Sequence, residues 1–211
     1  MILGHRGIMS KFPENTLDSF KEFRKYPNIG IELDVLLTKD NVVVCCHDNN
    51  LKRLTGKNLN VSDITFSQLC TLKIKKEIEY NDDVYKYDKE NRFCSLEEVI
   101  EKFKDVLINI EIKTYKGFSL QYKKKLSDLV MNIINYRKLK KYMISSFDIV
   151  VVKYLKTKNI TCVFICMDYI EGTYLKIINF DNYDSRKQNN IIGAYNVKDK
   201  DTNLKFLIMD Y

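Results

Sequence analysis

Apolar residues along this chain recur with two periods. In the stretch IGIELDVLL (29–37), Ile31, Leu33 and Val35 alternate with Glu32 and Asp34. In VLINIEIK (106–113), Val106, Ile108, Ile110 and Ile112 alternate with Asn109, Glu111 and Lys113. A period of two places each set on its own face of a strand. Between such strands, apolar positions fall near helical spacing. Leu17, Phe20 and Phe23 predict a helix capped by Asn15 or Thr16 and running to Tyr26. Ser95 with Glu98 forms a capping box that opens a helix to about Lys104. Further helices are predicted over 120–136 and 149–156.

Strand–helix alternation of this kind predicts a parallel α/β sheet. Eight candidate strands stand at 1–4, 29–35, 106–113, 142–147, 160–167, 177–180, 191–197 and 204–209. A strand at 42–46 extends the second unit. That count predicts a (β/α)8 TIM barrel as a single domain over residues 1–211. Residues 49–94 are polar and weakly periodic and read as an insertion after the second barrel strand. The segments 181–190 and 198–203 are too short for full crossover helices, so the late helices are expected to be shortened.

A chain of 211 residues with 45% hydrophobic and 30% charged residues is long enough for one sizeable core. The formal charge of +7 comes from Lys scattered among Asp and Glu, and no nucleic-acid-binding motif accompanies it, so nucleic acid is not an expected partner. The six cysteines (Cys45, Cys46, Cys70, Cys94, Cys162, Cys166) form no C-x-x-C pair, and four lie in apolar strand-like runs. They are expected to be reduced, with Cys45 and Cys46 on opposite strand faces. No stretch approaches 18 apolar residues and no signal peptide is visible, which predicts a cytoplasmic protein without a transmembrane segment.

Inside a barrel, the apolar faces of 29–35 and 106–113 pack against helices and the polar faces point inward. Glu32, Asp34 and Glu111 then converge, and buried carboxylates need partners or a cation. Two readings stay open on the pattern alone: an oxygen-ligand site for Mg²⁺ or Ca²⁺, or an ion network with Arg6 and Lys113. The two histidines, His5 and His47, each follow an apolar strand and each neighbour a charged residue, Arg6 and Asp48. Histidine is the side chain best matched to proton transfer near neutral pH. Arg6 offers a fork suited to phosphate, and Lys113 adds a second positive charge. Together these are the parts for metal-assisted cleavage of a phosphodiester.

The ordered run HRG…PENT…ELDV…TKD…VVVCCHD…LKRLTG resembles the glycerophosphodiester phosphodiesterases. SLEEVIEKF, NIEIK and SSFD continue the likeness to about residue 150. The resemblance implies a TIM barrel of the phospholipase-C-like phosphodiesterase type. It also implies one divalent cation, Mg²⁺ or Ca²⁺, held by Glu32, Asp34 and Glu111. His5 and His47 resemble the family's acid–base pair, and Arg6 and Lys113 its phosphate contacts. Pro13 and Glu14 shape the first loop, Asp48 orients a loop or His47, and Phe147 is a candidate pocket residue. The implied reaction is hydrolysis of a small-molecule glycerophosphodiester to sn-glycerol 3-phosphate and an alcohol. Lysophospholipase D activity and a silent phosphodiester-binding barrel are the alternatives. A lysolipid would need an apolar groove, for which 170–178 is the candidate. The last third departs from the family pattern: there is no Trp, and Tyr195-Asn196-Val197-Lys198 stands where a Trp-Thr-Val-Asn strand is expected.

Overall fold

A computed structural model of the chain describes residues 2–23, 29–80, 83–168, 174–179, 191–195 and 207–209. The strands are β1 (Ile2–Gly4), β2 (Ile29–Leu37), β3 (Val43–Cys45), β4 (Glu77–Tyr80), β5 (Asp83–Lys86), β6 (Ile108–Ile112), β7 (Tyr142–Ser146), β8 (Val163–Asp168), β9 (Tyr174–Asn179), β10 (Ile191–Tyr195) and β11 (Leu207–Met209). The helices are α1 (Leu17–Phe23), α2 (Lys52–Thr55), α3 (Phe66–Thr71), α4 (Leu96–Phe103), α5 (Leu120–Arg137) and α6 (Ile149–Thr157).

One sheet runs in the order β10-β9-β8-β7-β6-β2-β1-β11, with β3 paired to β2. From β11 through β1, β2, β6 and β7 to β8 every pairing is parallel. This curled parallel sheet is a partial TIM barrel. Helices α4, α5 and α6 cover its outer face. Ile31, Leu33 and Val35 of β2 and Ile108, Ile110 and Ile112 of β6 pack there with Val99, Ile100, Val130, Val151 and Leu155. Ser95 caps α4, its hydroxyl accepting from the Glu98 amide while the Glu98 side chain accepts from the Ser95 amide.

The end of the sheet differs from eight parallel units. β9 is antiparallel to β8, and β10 is antiparallel to β9. Only residues 169–173 separate β8 from β9, and a parallel return needs a crossover of a dozen or more residues. The expected continuation of α1 to Tyr26, and the expected strand positions Phe180, 196–197 and 204–206, lie outside the described residues.

Residues 49–94 hold more order than their weak periodicity suggests. They contain α2, α3 and the two-stranded antiparallel β4–β5 sheet. Leu51, Leu54, Val61, Leu69, Ile74 and Ile78 form a second core with Leu36, Val44 and Cys46. Cys45 packs in the first core and Cys46 in the second, as alternation on a strand requires. Cys45, Cys46, Cys70, Cys94 and Cys162 are free thiols.

Candidate functional site

Strand β1 ends at Gly4, and the chain turns at once. Arg6 and Gly7 both have positive φ, 54° and 90°. A Cβ on Gly7 would lie 1.7 Å from Ser19 Oγ, so only glycine fits between this turn and α1. The Arg6 carbonyl accepts from the Asn15 amide at 2.9 Å and from Ser19 Oγ at 3.1 Å. The turn aims the Arg6 amide at Glu32 Oε2, 2.8 Å away. His5 and Arg6 are both buried.

Register brings the carboxylates together. Asp34 and Glu111 are direct neighbours on β2 and β6, and Glu32 lies two residues earlier on the same face. One carboxylate oxygen from each of Glu32, Asp34 and Glu111 lies within 4.8 Å of the others. All three side chains are buried. Asp34 is the most heavily bonded. Its Oδ2 accepts from Asn15 Nδ2 at 2.9 Å and pairs with Arg6 Nε at 3.1 Å, and its Oδ1 pairs with Lys113 Nζ at 3.2 Å. Lys113 Nζ also donates to Glu111 Oε1 at 2.6 Å. An ion network therefore surrounds the cluster without satisfying every oxygen. Glu32 Oε1 is buried without a hydrogen-bond partner.

The electrostatics divide accordingly. Burial opposes ionisation of all three carboxyls. The charges of Lys113 and Arg6 overcome it at Asp34, whose carboxyl is held well below the usual range. At Glu32, burial and the neighbouring Asp34 and Glu111 charges push the carboxyl well above its usual range. Burial and Asp34 also raise Glu111, against the pull of Lys113. Three converging carboxylates, one with an orphaned oxygen, are the hard donor set a divalent cation takes.

His47 follows β3. Its Nδ1 stands 2.6 Å from Asp48 Oδ1, and its carbonyl accepts from the Tyr115 hydroxyl. Asp48 Oδ2 accepts from Arg53 Nε at 2.6 Å, and Arg53 reaches back to Glu14 Oε2 at 2.6 Å and Oε1 at 2.8 Å. Glu14 in turn accepts from Arg6 Nη1 at 3.2 Å. A continuous chain of charge pairs thus runs from His47 through Asp48, Arg53 and Glu14 to Arg6. Both histidines act electrostatically on Asp34, favouring its ionised form. The insertion closes this chain from above: the Tyr80 ring lies 4.9 Å from the Arg6 guanidinium and 5.7 Å from that of Arg53. Tyr87 anchors the insertion to the first loop, its hydroxyl donating to the Met9 carbonyl at 3.1 Å.

The structure brings together His5, Arg6, Glu32, Asp34, Glu111 and Lys113, with His47 reaching the same group through the charge chain. Phe147 is 40% exposed at the rim, its ring 5.2 Å from Lys113 Nζ. The guanidinium of Arg6 is already held by Glu14 and Asp34. Sequence reasoning missed the roles of Asn15 and Glu14, which it assigned to starting a helix and shaping a loop. It also left Arg53, Tyr80 and Tyr115 without a role. Glu14, Asn15 and Arg53 were visible inside the PENT and LKRLTG motifs, but motif membership does not say which side chain meets which.

Residues 5–188 match the Glycerophosphoryl diester phosphodiesterase family. The chain belongs to that family. It is 38% identical over 128 residues to a human lysophospholipase D, which covers 61% of this chain and 40% of that protein. It is 36% identical over 154 residues to a glycerophosphodiester phosphodiesterase of Caldanaerobacter subterraneus subsp. tengcongensis, covering 70% of this chain and 58% of that one. The crystal structure of a glycerophosphodiester phosphodiesterase from Thermotoga maritima superposes with a TM-score of 0.58 at 34% identity, covering 76% of this chain and 59% of that one. The chain thus spans about two fifths of the human relative and under three fifths of the bacterial one. Among the described residues, no helix is long and apolar enough to cross a membrane.

Proposed function

We propose that this chain is a single barrel unit that hydrolyses glycerophosphodiesters to sn-glycerol 3-phosphate and an alcohol. Residues 49–94 are an insertion within that unit. The observation that carries the reading is the trio Glu32, Asp34 and Glu111, with its orphaned Glu32 oxygen, beside the His47–Asp48 pair. Those carboxylates would hold one Mg²⁺ or Ca²⁺. When bound, such an ion supplies charge stabilisation to phosphoryl oxygens. Lys113, at the edge of the trio, adds positive charge beside the phosphate. Arg6, engaged by Glu14 and Asp34, contributes mainly the turn that aligns Glu32. One histidine takes a proton from the attacking hydroxyl or water, and the other gives a proton to the departing alkoxide as the P–O bond breaks. The Asp48 carboxylate fixes His47 Nδ1, which leaves Nε2 for that transfer.

The test is release of glycerol 3-phosphate from glycerophosphocholine and glycerophosphoethanolamine with Mg²⁺, Ca²⁺ or EDTA. Release that EDTA abolishes and a divalent ion restores supports the proposal. No release with either ion overturns it. A second reading, lysophospholipase D activity, is favoured by the name of the human relative. Release of choline from lysophosphatidylcholine but not from glycerophosphocholine would select it. The candidate apolar face at 170–178 lies outside the described side chains.

A further inference from the structure

Beside the candidate site lies a groove of about 910 Å³. Its inner wall is Asp48, Arg53 and Tyr115, the residues that hold and brace His47. If His47 is the group that protonates the leaving alcohol, that alcohol departs beside these residues. The outer wall comes from the insertion and the loop after β6, and its charges can be sorted.

Asp48 pairs with Arg53 at 2.6 Å, Arg53 pairs also with Glu14 at 2.6 Å, and Glu77 pairs with Lys86 at 3.4 Å. Among the described residues, Lys52, Lys75 and Lys116 line the groove without a carboxylate partner, and Glu79 lines it without a cation. The lining as a whole carries four cations, Lys52, Arg53, Lys75 and Lys116, against three carboxylates, Asp48, Glu77 and Glu79, a net charge of +1. The remaining wall is mixed: the amides of Asn49, Asn50 and Asn60 offer hydrogen bonds, and Phe118 is apolar. A trimethylammonium or ethanolamine group entering here meets like charge. An alcohol carrying a carboxylate or a phosphate meets opposite charge.

We infer that this groove receives the leaving alcohol and selects alcohols that carry a negative group over cationic ones. The inference rests on the phosphodiesterase reading above and assigns to His47 the proton given to the leaving alcohol.

The experiment compares kcat/KM at low salt for glycerophosphocholine, glycerophosphoglycerol, glycerophosphoglycerate and glycerophosphoinositol 4-phosphate. The last two distinguish carboxylate from phosphate as the recognised group. At least one anionic substrate should exceed the choline substrate by about tenfold, with the neutral glycerol substrate between them, since exposed charge pairs contribute modestly and act together. The ratio should shrink in 0.5 M salt, where screening is short-ranged. The triple variant Lys52→Gln/Lys75→Gln/Lys116→Gln should bring the ratio close to one, lowering kcat/KM for the anionic substrates more than for the neutral one. Equal or better use of glycerophosphocholine by the native chain, or an unchanged ratio in the triple variant, overturns the inference. Calorimetric binding of the same compounds to the His47→Ala variant separates the two readings. Preferential binding of the anionic compounds without turnover by the native chain sinks the phosphodiesterase reading alone. No binding preference and no turnover sink both.

Discussion

Asn15 and Asp34 clasp one another through two hydrogen bonds: Asn15 Nδ2 donates to Asp34 Oδ2 at 2.9 Å, and the Asp34 amide donates to Asn15 Oδ1 at 3.1 Å. Asn15 sits in the left-handed region, φ 55°, which this residue type tolerates better than most. The clasp locks the carboxylate plane of Asp34 from the first loop while Lys113 and Arg6 hold its charge. Asn15→Ala removes both bonds and strands a buried amide. It should cost roughly 1–3 kcal/mol of stability. It should also weaken divalent-cation binding by about 10–100-fold, the usual effect of losing a group that orients a ligand. Denaturant unfolding and calorimetric titration with Mg²⁺ and Ca²⁺ check the two effects separately.

Glu32 has the least favourable surroundings of the three carboxylates, because burial and its two acidic neighbours oppose its charge. A cation would reverse that balance. Saturating Mg²⁺ or Ca²⁺ should therefore raise the thermal midpoint of the native chain, by the linkage between ligand binding and folding. Glu32→Gln removes one of the repelling charges, yet its side-chain carbonyl can still accept from the Arg6 amide. That variant should match or exceed the ion-free stability of the native chain while losing most of the cation-induced rise. A rise of equal size in both proteins would show that the ion binds elsewhere.

His5→Ala and His47→Ala should each lower turnover by ~10²–10⁴-fold while the far-UV circular dichroism stays native, as expected for a lost general acid or base. Asp48→Asn acts on His47 from one side only, at Nδ1, and should cost less than loss of the ring. Steady-state rates of the three variants give the order, and a native rate in His47→Ala would remove that residue from the proton path.

Acid should weaken the chain of charge pairs at Asp48. Hydrogen bonding to His47 and the charge of Arg53 hold its carboxyl down at about 2, despite burial. A depressed folded value means that the stabilisation is fully present above the unfolded value, near 4, and is lost as pH falls toward 2. The span corresponds to roughly 2 kcal/mol. Asp48→Asn should flatten that part of the acid limb in unfolding midpoints measured between pH 6 and pH 2.5. An acid limb as steep as the native one would place the loss on other carboxylates, Glu14 first among them.

The alternation of Glu32 and Asp34 with Ile31, Leu33 and Val35, and of Glu111 with Ile110 and Ile112, is a local property. It puts the acidic groups on one face whatever the rest of the chain does, so the inward-facing carboxylates and the strands that carry them were legible in the sequence. The capping box at Ser95 and Glu98 is legible for the same reason, since both partners lie within one turn. Their meeting is a different matter. The register that sets Asp34 beside Glu111 joins residues 77 positions apart, and no periodicity encodes a register. The same holds for Arg53, which bridges Glu14 and Asp48 from the insertion, and for Tyr80, which lies over Arg6 from a hairpin that composition alone describes as polar and irregular. The antiparallel return of β9 along β8 was decided by connection length and pairing across the sheet edge. Short-range pattern thus determined which faces carry chemistry. Long-range pairing, which trades chain entropy for contacts between distant segments, decided which of those groups share a site.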